Sequence, residues 1–313
     1  MSRLGFTLGE LLRETVFDLS QNRLRAFLTM LGIAWGVASL IILVAIGEGM
    51  GQGMREKNEL LGKHIIIVWG GTTSVPGPGI RPGKRILLTY EDYLALGREA
   101  FWLRKCSPEL ERSDLTSATV LNRGTFDVSG VMSDFMEIRS MHLERGRRLN
   151  EGDMAGAARV CVIGRDVNQQ LFGGRASSGD PLEIGGLPFT VAGVLRRKDQ
   201  NNNYSGPDNM KIFIPYPAMR RDFPYQGSPL GDREIGNIIA QPVSLEKSEA
   251  AELQIRRVLG RRLLFDPVDE DALPIWNTAT QAKMMSEIFN AMKVFLGFVA
   301  AVTLMLGGIG VMN

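Results

Sequence analysis

The chain has little of the residue types from which proteins build disulfide frameworks and metal sites. Among its 313 residues are two cysteines and two histidines. Cys106 and Cys161 are too few for a disulfide framework and lack metal-ligand spacing, so we interpret them as buried thiols, with one disulfide as the alternative. His64 lies in an apolar run and His142 beside Glu144, both without a partner at ligand spacing. The sequence therefore predicts no metal site.

A strong charge of either sign is also missing. The formal net charge is +2, and basic clusters such as Arg196-Arg197-Lys198 are interspersed with acidic residues along the chain. Mixed charges of this kind are typical of solvated surfaces, whereas nucleic-acid binding needs an extended basic field. We therefore expect no nucleic acid among the partners.

Catalytic and nucleotide-binding motifs are missing as well. The glycine run at 47–53 follows an apolar stretch rather than a strand and lacks dinucleotide-fingerprint spacing. Gly62-Lys63 and Gly83-Lys84 lack the upstream glycine of a phosphate-binding loop, and Ser129 lacks the flanking glycines of a nucleophile elbow. We interpret Glu91-Asp92 as helix-start residues. The sequence predicts no catalytic residue and no cofactor-binding residue in this chain.

Two long uncharged apolar stretches are present, at residues 26–47 and 294–312. A helix of roughly 18 or more apolar residues can cross the ~30 Å hydrocarbon core of a bilayer. We therefore predict a first transmembrane helix at 25–48 and a second at 291–313. The first is longer than a signal-peptide core and no cleavage site follows it, so it is expected to remain as an anchor. Neither stretch contains an ionisable side chain, which disfavours a proton or ion relay.

The distribution of basic residues predicts the orientation. Arg23 and Arg25 lie directly before the first stretch, which favours a cytoplasmic N-terminus in the plasma (inner) membrane. Residues 49–290 would then lie outside the cytoplasm. Residues 1–24 have the spacing of an amphipathic helix, expected in the membrane interface, where it would contact lipid, or packed on a cytoplasmic protein as the alternative.

Small residues predict where the two spans pack against other helices. Gly32 and Gly36 form a small-xxx-small pair in the first span, and Gly307, Gly308 and Gly310 cluster in the second. Glycine lets helix backbones approach closely, and such packing drives helix association in lipid. We predict that these five glycines contact helices of this chain or of a second subunit.

The polar segment between the spans predicts an α+β domain. Its two halves, at about 64–123 and 233–276, are separated by an inserted β-rich subdomain at about 124–222. Gly185-Gly186 between two apolar runs is typical of a hairpin, and Thr89 with Asp92 forms a capping-box pattern. The predicted strands are 64–69, 118–123, 125–131, 159–163, 182–184, 189–195, 211–215 and 235–241, and the predicted helices are 90–99, 165–172, 245–259 and 280–293.

Specific segments resemble a known family. The run Leu24 to Ala38 with Ala45-Ile46-Gly47-Glu48-Gly49 is similar to the first transmembrane helix of MacB/FtsX-type ABC transporter permeases, and Leu306 to Asn313 is similar to the second. Between them, the segments Gly146-Arg147-Arg148-Leu149, Val162-Ile163-Gly164, Asp180-Pro181 and Phe189 to Leu195 resemble the MacB-type periplasmic core domain. The resemblance covers nearly the whole chain.

The resemblance implies a permease of four spans per subunit, so a cytoplasmic loop and two further spans are expected after Asn313. It also implies a periplasmic domain with a porter-like α+β part and an inserted subdomain. The expected partners are a separate ABC ATPase that binds the ATP, a second permease copy or a related permease, and a periplasmic adaptor. Motion of the ATPase would pass through the spans to the external domain and export or extract a substrate.

Two other functions stay open at this point. An FtsX-like signalling module would use the same spans to act on a periplasmic partner such as a cell-wall hydrolase. A membrane-tethered enzyme is the third possibility, which the missing catalytic motifs disfavour.

Overall fold

The structure is a computed structural model that describes residues 23–61, 64–76, 82–198, 204–225 and 227–312. The chain divides into two compact units, one of residues 1–54 with 283–313, and one of residues 55–282, the core unit. Apart from its last two residues, the helix predicted at 1–24 lies outside the described residues.

Helices and strands alternate irregularly along the described chain. The helices are α1 (Arg23–Leu61), α2 (Tyr90–Glu99), α3 (Phe135–Ile138), α4 (Glu151–Ala155), α5 (Arg165–Phe172), α6 (Tyr216–Asp222), α7 (Ser248–Leu263) and α8 (Thr278–Met312). The strands are β1 (Ile66–Trp69), β2 (Leu103–Arg112), β3 (Thr116–Ala118), β4 (Arg123–Thr125), β5 (Asp127–Val131), β6 (Leu143–Gly146), β7 (Val160–Ile163), β8 (Pro181–Ile184), β9 (Leu187–Leu195), β10 (Lys211–Pro215), β11 (Asn237–Pro242) and β12 (Ile275–Asn277).

The strands form one mixed sheet in the order β12-β1-β11-β2-β5-β10-β7-β9-β8-β3-β4, with β6 also paired to β9. β5 pairs with β10 and β7 with β9 in parallel, and the other pairs are antiparallel. Strands from the predicted insertion and from the flanking halves thus share a sheet. The boundaries of the insertion at 124 and 222 stay a prediction.

A hydrophobic core lies on each face of the sheet. Ile66 and Val68 of β1 belong to one core, and Ile67 and the preceding Ile65 belong to the other, because successive side chains of an extended chain point to opposite faces. All four are fully buried, and burial of each side chain contributes about 1.5–3 kcal/mol. A strand buried on both faces needs the continuous β-branched run that the sequence has here.

Local signals in the sequence explain two further elements. Thr89 and Asp92 make the predicted capping box at the start of α2, with both reciprocal hydrogen bonds present. Gly185 and Gly186 have φ values of 54° and 81°, as a two-residue hairpin turn requires, and Ile184 pairs with Leu187 across it. Both predictions are confirmed.

The sequence analysis and the structure differ at several elements, among them the following. The strand predicted at 118–123 is wrong, because Thr119 N–H donates to the Asn122 carbonyl and closes a turn between β3 and β4. The ten-residue strand β2 was not predicted, since its charged residues interrupt the apolar pattern. Helix α7 begins and ends later than the predicted 245–259, and two apolar residues of the predicted range, Leu245 and Leu253, are exposed.

The helices at the two ends of the described chain each contain a candidate membrane span. An apolar stretch long enough to cross a bilayer occupies Met30–Gly49 in α1 and Thr278–Val302 in α8. Large apolar side chains in both are exposed, among them Trp35 and Phe298. Exposed apolar side chains along a helix are the pattern expected of a surface that contacts lipid.

Candidate membrane-coupling site

Strand β12 passes into helix α8 without a connecting loop. Asn277 is the last residue of β12, where it pairs with Ile66 of β1, and Thr278 is the first residue of α8. The N–H and the hydroxyl group of Thr278 both donate to the carbonyl oxygen of Ile65, each at 3.1 Å. The helix therefore starts from a hydrogen-bonded position in the sheet.

The buried side chain of Asn277 organises this junction. Its Oδ1 accepts hydrogen bonds from the N–H groups of Ala279 (3.1 Å) and Thr280 (3.4 Å), as at a helix N-cap. The same oxygen accepts from the Ser248 hydroxyl at 2.8 Å, and Nδ2 donates to Glu252 Oε2 at 3.0 Å. Both of these partners are on α7. One carboxamide therefore joins the sheet, α7 and the start of α8.

A contact between α1 and α8 lies in the other unit. Gly47 is buried, and a Cβ there would lie 3.5 Å from Met292 Cε and 3.8 Å from Phe289 Cδ1. Next to it, Lys293 Nζ lies 2.9 Å from Glu48 Oε1. Both ionised groups are at least one-third exposed, so the pair is worth about 0–1 kcal/mol. The ion pair therefore contributes little to the stability of the two helices.

The structure places the five predicted packing glycines unevenly. A Cβ on Gly32 would have no neighbour within 4 Å. Gly36 is partly buried. Gly307, Gly308 and Gly310 lie in α8, in a part of the helix whose side-chain surroundings the structure does not describe. Their predicted role in helix packing stays a prediction. The glycine contact between α1 and α8 that the structure describes is at Gly47, which the prediction did not include.

A buried ionic cluster lies elsewhere in the core unit, between α3 and β10. Arg139 Nη2 donates to both carboxylate oxygens of Asp208, at 2.8 and 2.9 Å, and Lys198 Nζ lies 3.1 Å from Asp208 Oδ2. The Arg139 guanidinium lies 4.7 Å from the centre of the Tyr204 ring, whose hydroxyl donates to Glu109 Oε2 at 2.5 Å. The cluster therefore connects four segments: β2, the end of α3, the residues after β9 and the residues before β10.

Burial and charge compete at this cluster. Burial alone would raise the pKa of Asp208, but the attraction of Arg139 and Lys198 outweighs it and holds this pKa below its usual value. Burial also lowers the pKa of Lys198 to about 8, against the opposing effect of Asp208. The ionised Arg139–Asp208 pair is therefore the stable core of the cluster, and Lys198 is the member most easily neutralised.

The structure shows the surroundings of the residues that the sequence analysis considered for chemical roles. Asp92 completes the capping box and accepts from Arg262 Nε at 2.9 Å, which confirms its interpretation as a helix-start residue. Ser129 is fully buried in β5. Cys106 and Cys161 are free thiols whose pKa values burial raises, that of Cys106 to about 12. Within the described residues no three His, Cys, Asp or Glu side chains are grouped to hold a metal.

The structure is that of an α+β domain with two candidate membrane spans, and comparisons with known proteins identify its family. A family model described as the MacB-like periplasmic core domain matches residues 26–258. The macrolide export ATP-binding/permease protein MacB of Vibrio parahaemolyticus is 29% identical over 305 residues, which covers 96% of this chain and 43% of that protein. MacB of Escherichia coli K12 is 26% identical, over 94% of this chain and 43% of that protein.

Solved structures share the fold. The periplasmic region of MacB from Actinobacillus actinomycetemcomitans superposes with a TM-score of 0.57 at 18% identity, covering 75% of this chain and 98% of that structure. The extracellular domain of the noncanonic ABC-type transporter YknZ from Gram-positive bacteria gives a TM-score of 0.52 at 18% identity, with 68% and 100% coverage. Both structures are of domains outside the cytoplasm.

The chain belongs to the MacB-like periplasmic core domain family, within the MacB/FtsX-like permeases of ABC transporters. The resemblance seen in the sequence and the α+β fold class are thereby confirmed. The chain spans less than half the length of the curated relatives it matches.

Proposed function

We propose that this chain is the permease part of an ABC transporter that works with a separate ATPase subunit. The spans would carry motion driven by ATP hydrolysis to the core unit, which acts on a substrate outside the cytoplasm for export or extraction. The two spans would lie in the plasma membrane with the N-terminus in the cytoplasm. A second permease copy and a periplasmic adaptor are further proposed partners.

The observation that carries the proposal is the junction at Asn277. A flexible linker between a span and an external domain would dissipate a displacement of the helix. Here Thr278, the first residue of α8, donates to Ile65 directly before β1, and the buried carboxamide of Asn277 bonds to both α8 and α7. A displacement of α8 along its axis would therefore displace the edge of the sheet as well.

The proposal is tested in the full-length protein that contains these residues, cross-linked in its native membrane and identified by mass spectrometry. We expect an ABC ATPase among the cross-linked partners. Reconstituted with that ATPase, Asn277→Ala should lower ATP-driven efflux while assembly with the ATPase persists. Ser244→Ala is the control, because the Ser244 hydroxyl donates to exposed Glu246 before α7, and alanine keeps the main-chain bond from Lys247.

Two outcomes would contradict the proposal. Recovery of the protein from membranes without any ABC ATPase would remove the energy source. Cross-linking to an ATPase together with a cell-wall hydrolase, and no efflux, would instead assign the chain to the signalling alternative.

A further inference from the structure

A cavity of about 670 Å³ lies in the core unit, at the end of the sheet where β1 stops and β11 begins. Its wall includes the segment 85–88, residue 225 with residues 227–229, and residues 234–236 directly before β11. Pockets that bind organic ligands typically enclose ~300–1,000 Å³. The cavity therefore has room for a ligand much larger than a single ion.

The segment 84–88 is held to the sheet through alternate residues. Ile86 N–H donates to the Gly71 carbonyl oxygen at 2.9 Å, and the Leu88 carbonyl oxygen accepts from Ile235 N–H at 3.0 Å. The side chains of Ile86 and Leu88 are both buried in the same core. The segment is therefore fixed in position by its even-numbered residues, and its odd-numbered residues are not needed for this.

The odd-numbered residues present an unpaired main-chain edge to the cavity that they line. Within the described residues, the N–H and carbonyl oxygen of Leu87 have no hydrogen-bond partner, and the same is true of the main chain of Arg85. Main-chain groups at the edge of a sheet are a template on which another extended chain can pair. Leu87 and Arg85 are two positions apart, which is the spacing of successive pairing sites along one strand edge.

Two charged side chains of opposite sign also line the cavity. The guanidinium group of Arg85 is exposed and has no hydrogen bond or ion pair in the part of the chain that the structure describes. Glu234 accepts from the Ser228 hydroxyl through Oε2 only, so Oε1 can accept from a ligand. A bare anion would be attracted by Arg85 and repelled by Glu234, and a bare cation the reverse. A ligand with both donors and acceptors along its length suits the cavity better than either.

We infer that this cavity, the peptide cleft, binds an extended peptide that adds as a short antiparallel strand beside Leu87. The peptide residue opposite Leu87 would exchange both main-chain hydrogen bonds with it. The residue two positions further along the peptide would lie opposite Arg85 and on the same face, where an acidic side chain is favoured. The preferred sequence is therefore an apolar residue, any residue, and then Asp or Glu. The inference rests on the core unit alone and does not depend on the proposed transport function.

The test uses the full chain in a non-ionic detergent, without an ATPase, and the blocked pentapeptide acetyl-Thr-Val-Thr-Glu-Thr-amide as the probe. We expect saturable binding by isothermal titration calorimetry. In hydrogen-exchange mass spectrometry, the bound probe should slow exchange at the N–H of Leu87, because this donor then has an acceptor. Exchange at Val120, in the exposed turn between β3 and β4, should not change.

Two N-methylated probes test the strand pairing. A methyl group on the nitrogen of the probe's valine removes the donor to the Leu87 carbonyl oxygen, and we expect roughly tenfold weaker binding. A methyl group on the nitrogen of the central threonine should have little effect, because successive main-chain N–H groups of a strand point to opposite edges. The two probes have the same composition, so a difference between them reports the hydrogen bond.

Variants of Arg85 test the position of the acidic side chain. Arg85→Gln should weaken binding of the probe roughly tenfold, but not binding of a probe with glutamine in place of glutamate. Arg85→Glu should instead prefer a probe with lysine at that place. Arg175→Gln is the control, because Arg175 is exposed and lies outside the residues that line the cleft.

A pentapeptide of the same sequence with free termini distinguishes two sources of the peptide. Tighter binding than that of the blocked probe would assign a free oligopeptide, and equal binding would assign an internal segment of a partner protein. Both results support the inference. No saturable binding of any probe, equal binding of the two N-methylated probes, or unchanged exchange at Leu87 would overturn it.

Discussion

At the scale of single residues, a few buried polar side chains form hydrogen bonds between segments that are distant in sequence. Asn277 joins β12 and α8 to α7, and Asp208 joins Arg139 to Lys198. Each such group gains its bonds only in the folded state and leaves costly unpaired partners when removed. Substitutions at these positions should therefore have the largest effects on the stability of the core unit and on the proposed coupling between α8 and the sheet.

The first prediction concerns Asn277. Replacement by alanine removes the cap of α8 and leaves the Ser248 hydroxyl and the Ala279 N–H without this acceptor. We expect a loss of about 1–2 kcal/mol in the free energy of unfolding of the core unit, and faster hydrogen exchange at Ala279 and Thr280. Urea unfolding and exchange mass spectrometry measure the two effects. Ser244→Ala should change neither, and unchanged exchange in Asn277→Ala would refute the cap.

The second prediction concerns pH and Asp208. Because its folded-state pKa is lowered, its ionisation stabilises the fold above the unfolded pKa of about 4, and this contribution is lost as pH falls through the folded pKa. Asp208→Asn leaves Arg139 buried without its counter-charge, and we expect a loss of about 3–5 kcal/mol at neutral pH.

Urea unfolding of the core unit, residues 55–282, at pH 7 and near pH 3 checks this expectation. The difference between wild type and Asp208→Asn should shrink as pH falls below about 4, because the carboxylate of the unfolded wild-type chain takes up a proton there while that of the folded state does so only at lower pH. Asp114→Asn is the control, because the Asp114 side chain is 65% exposed and its pair with Arg112 is worth at most about 1 kcal/mol. A constant difference across pH would contradict the assignment.

At the scale of elements, the sequence predicted those whose signal is local. Helix α5 has the predicted bounds 165–172, and the hairpin at Gly185-Gly186 has the predicted turn. Strand β2 could not be found this way, because it is held between β5 and β11. Its partner β11 lies more than a hundred residues away in the sequence. The junction at Asn277 was within reach, since Asn followed by a predicted helix is an N-cap signal.

The contacts within the helix pair were less predictable. Glycines such as Gly32 and Gly47 look alike in sequence, and which of them meets another helix depends on the rotation and register of both. Likewise, nothing local marks Arg139 as the partner of Asp208, which is 69 residues away. Pairings of this kind are properties of the tertiary fold.

The third prediction compares two of these glycines. Gly47→Leu should separate α1 from α8, because the added side chain would meet Met292 and Phe289, whereas Gly32→Leu should leave this pair intact. Cross-linking with a bifunctional thiol reagent between cysteines placed at Glu48 and Lys293, whose native charged atoms lie 2.9 Å apart, measures the effect. Equal cross-linking in both variants would show that Gly47 is not a packing position. Loss of subunit association in Gly32→Leu alone would support the predicted role of Gly32.

At the scale of the whole molecule, the chain belongs to a family of periplasmic core domains and has one candidate membrane span in α1 and another in α8. The proposed function requires that the core unit lie outside the cytoplasm. This orientation is predicted by the positions of Arg23 and Arg25 and by the match to the MacB-like periplasmic core domain. It can be tested without knowledge of the substrate.

The fourth prediction is therefore one of topology. Val120 is 97% exposed at the tip of the β3–β4 turn, which is anchored because the Thr119 hydroxyl donates to the Leu171 carbonyl oxygen. A cysteine at Val120 should react with a membrane-impermeant maleimide from outside the plasma membrane. A cysteine at Ser2, before the first span, should react only after the membrane is permeabilised.

This experiment can be carried out without replacing the two native cysteines. Thiolates are the reactive form, and burial raises the pKa of Cys106 to about 12 and that of Cys161 further, so both are almost entirely protonated at neutral pH. The wild-type chain, labelled in parallel, gives the remaining background. If Val120→Cys reacts only after permeabilisation and Ser2→Cys reacts before it, the core unit faces the cytoplasm. The junction at Asn277 would then couple the spans to a cytoplasmic event, and export by an external domain would be excluded.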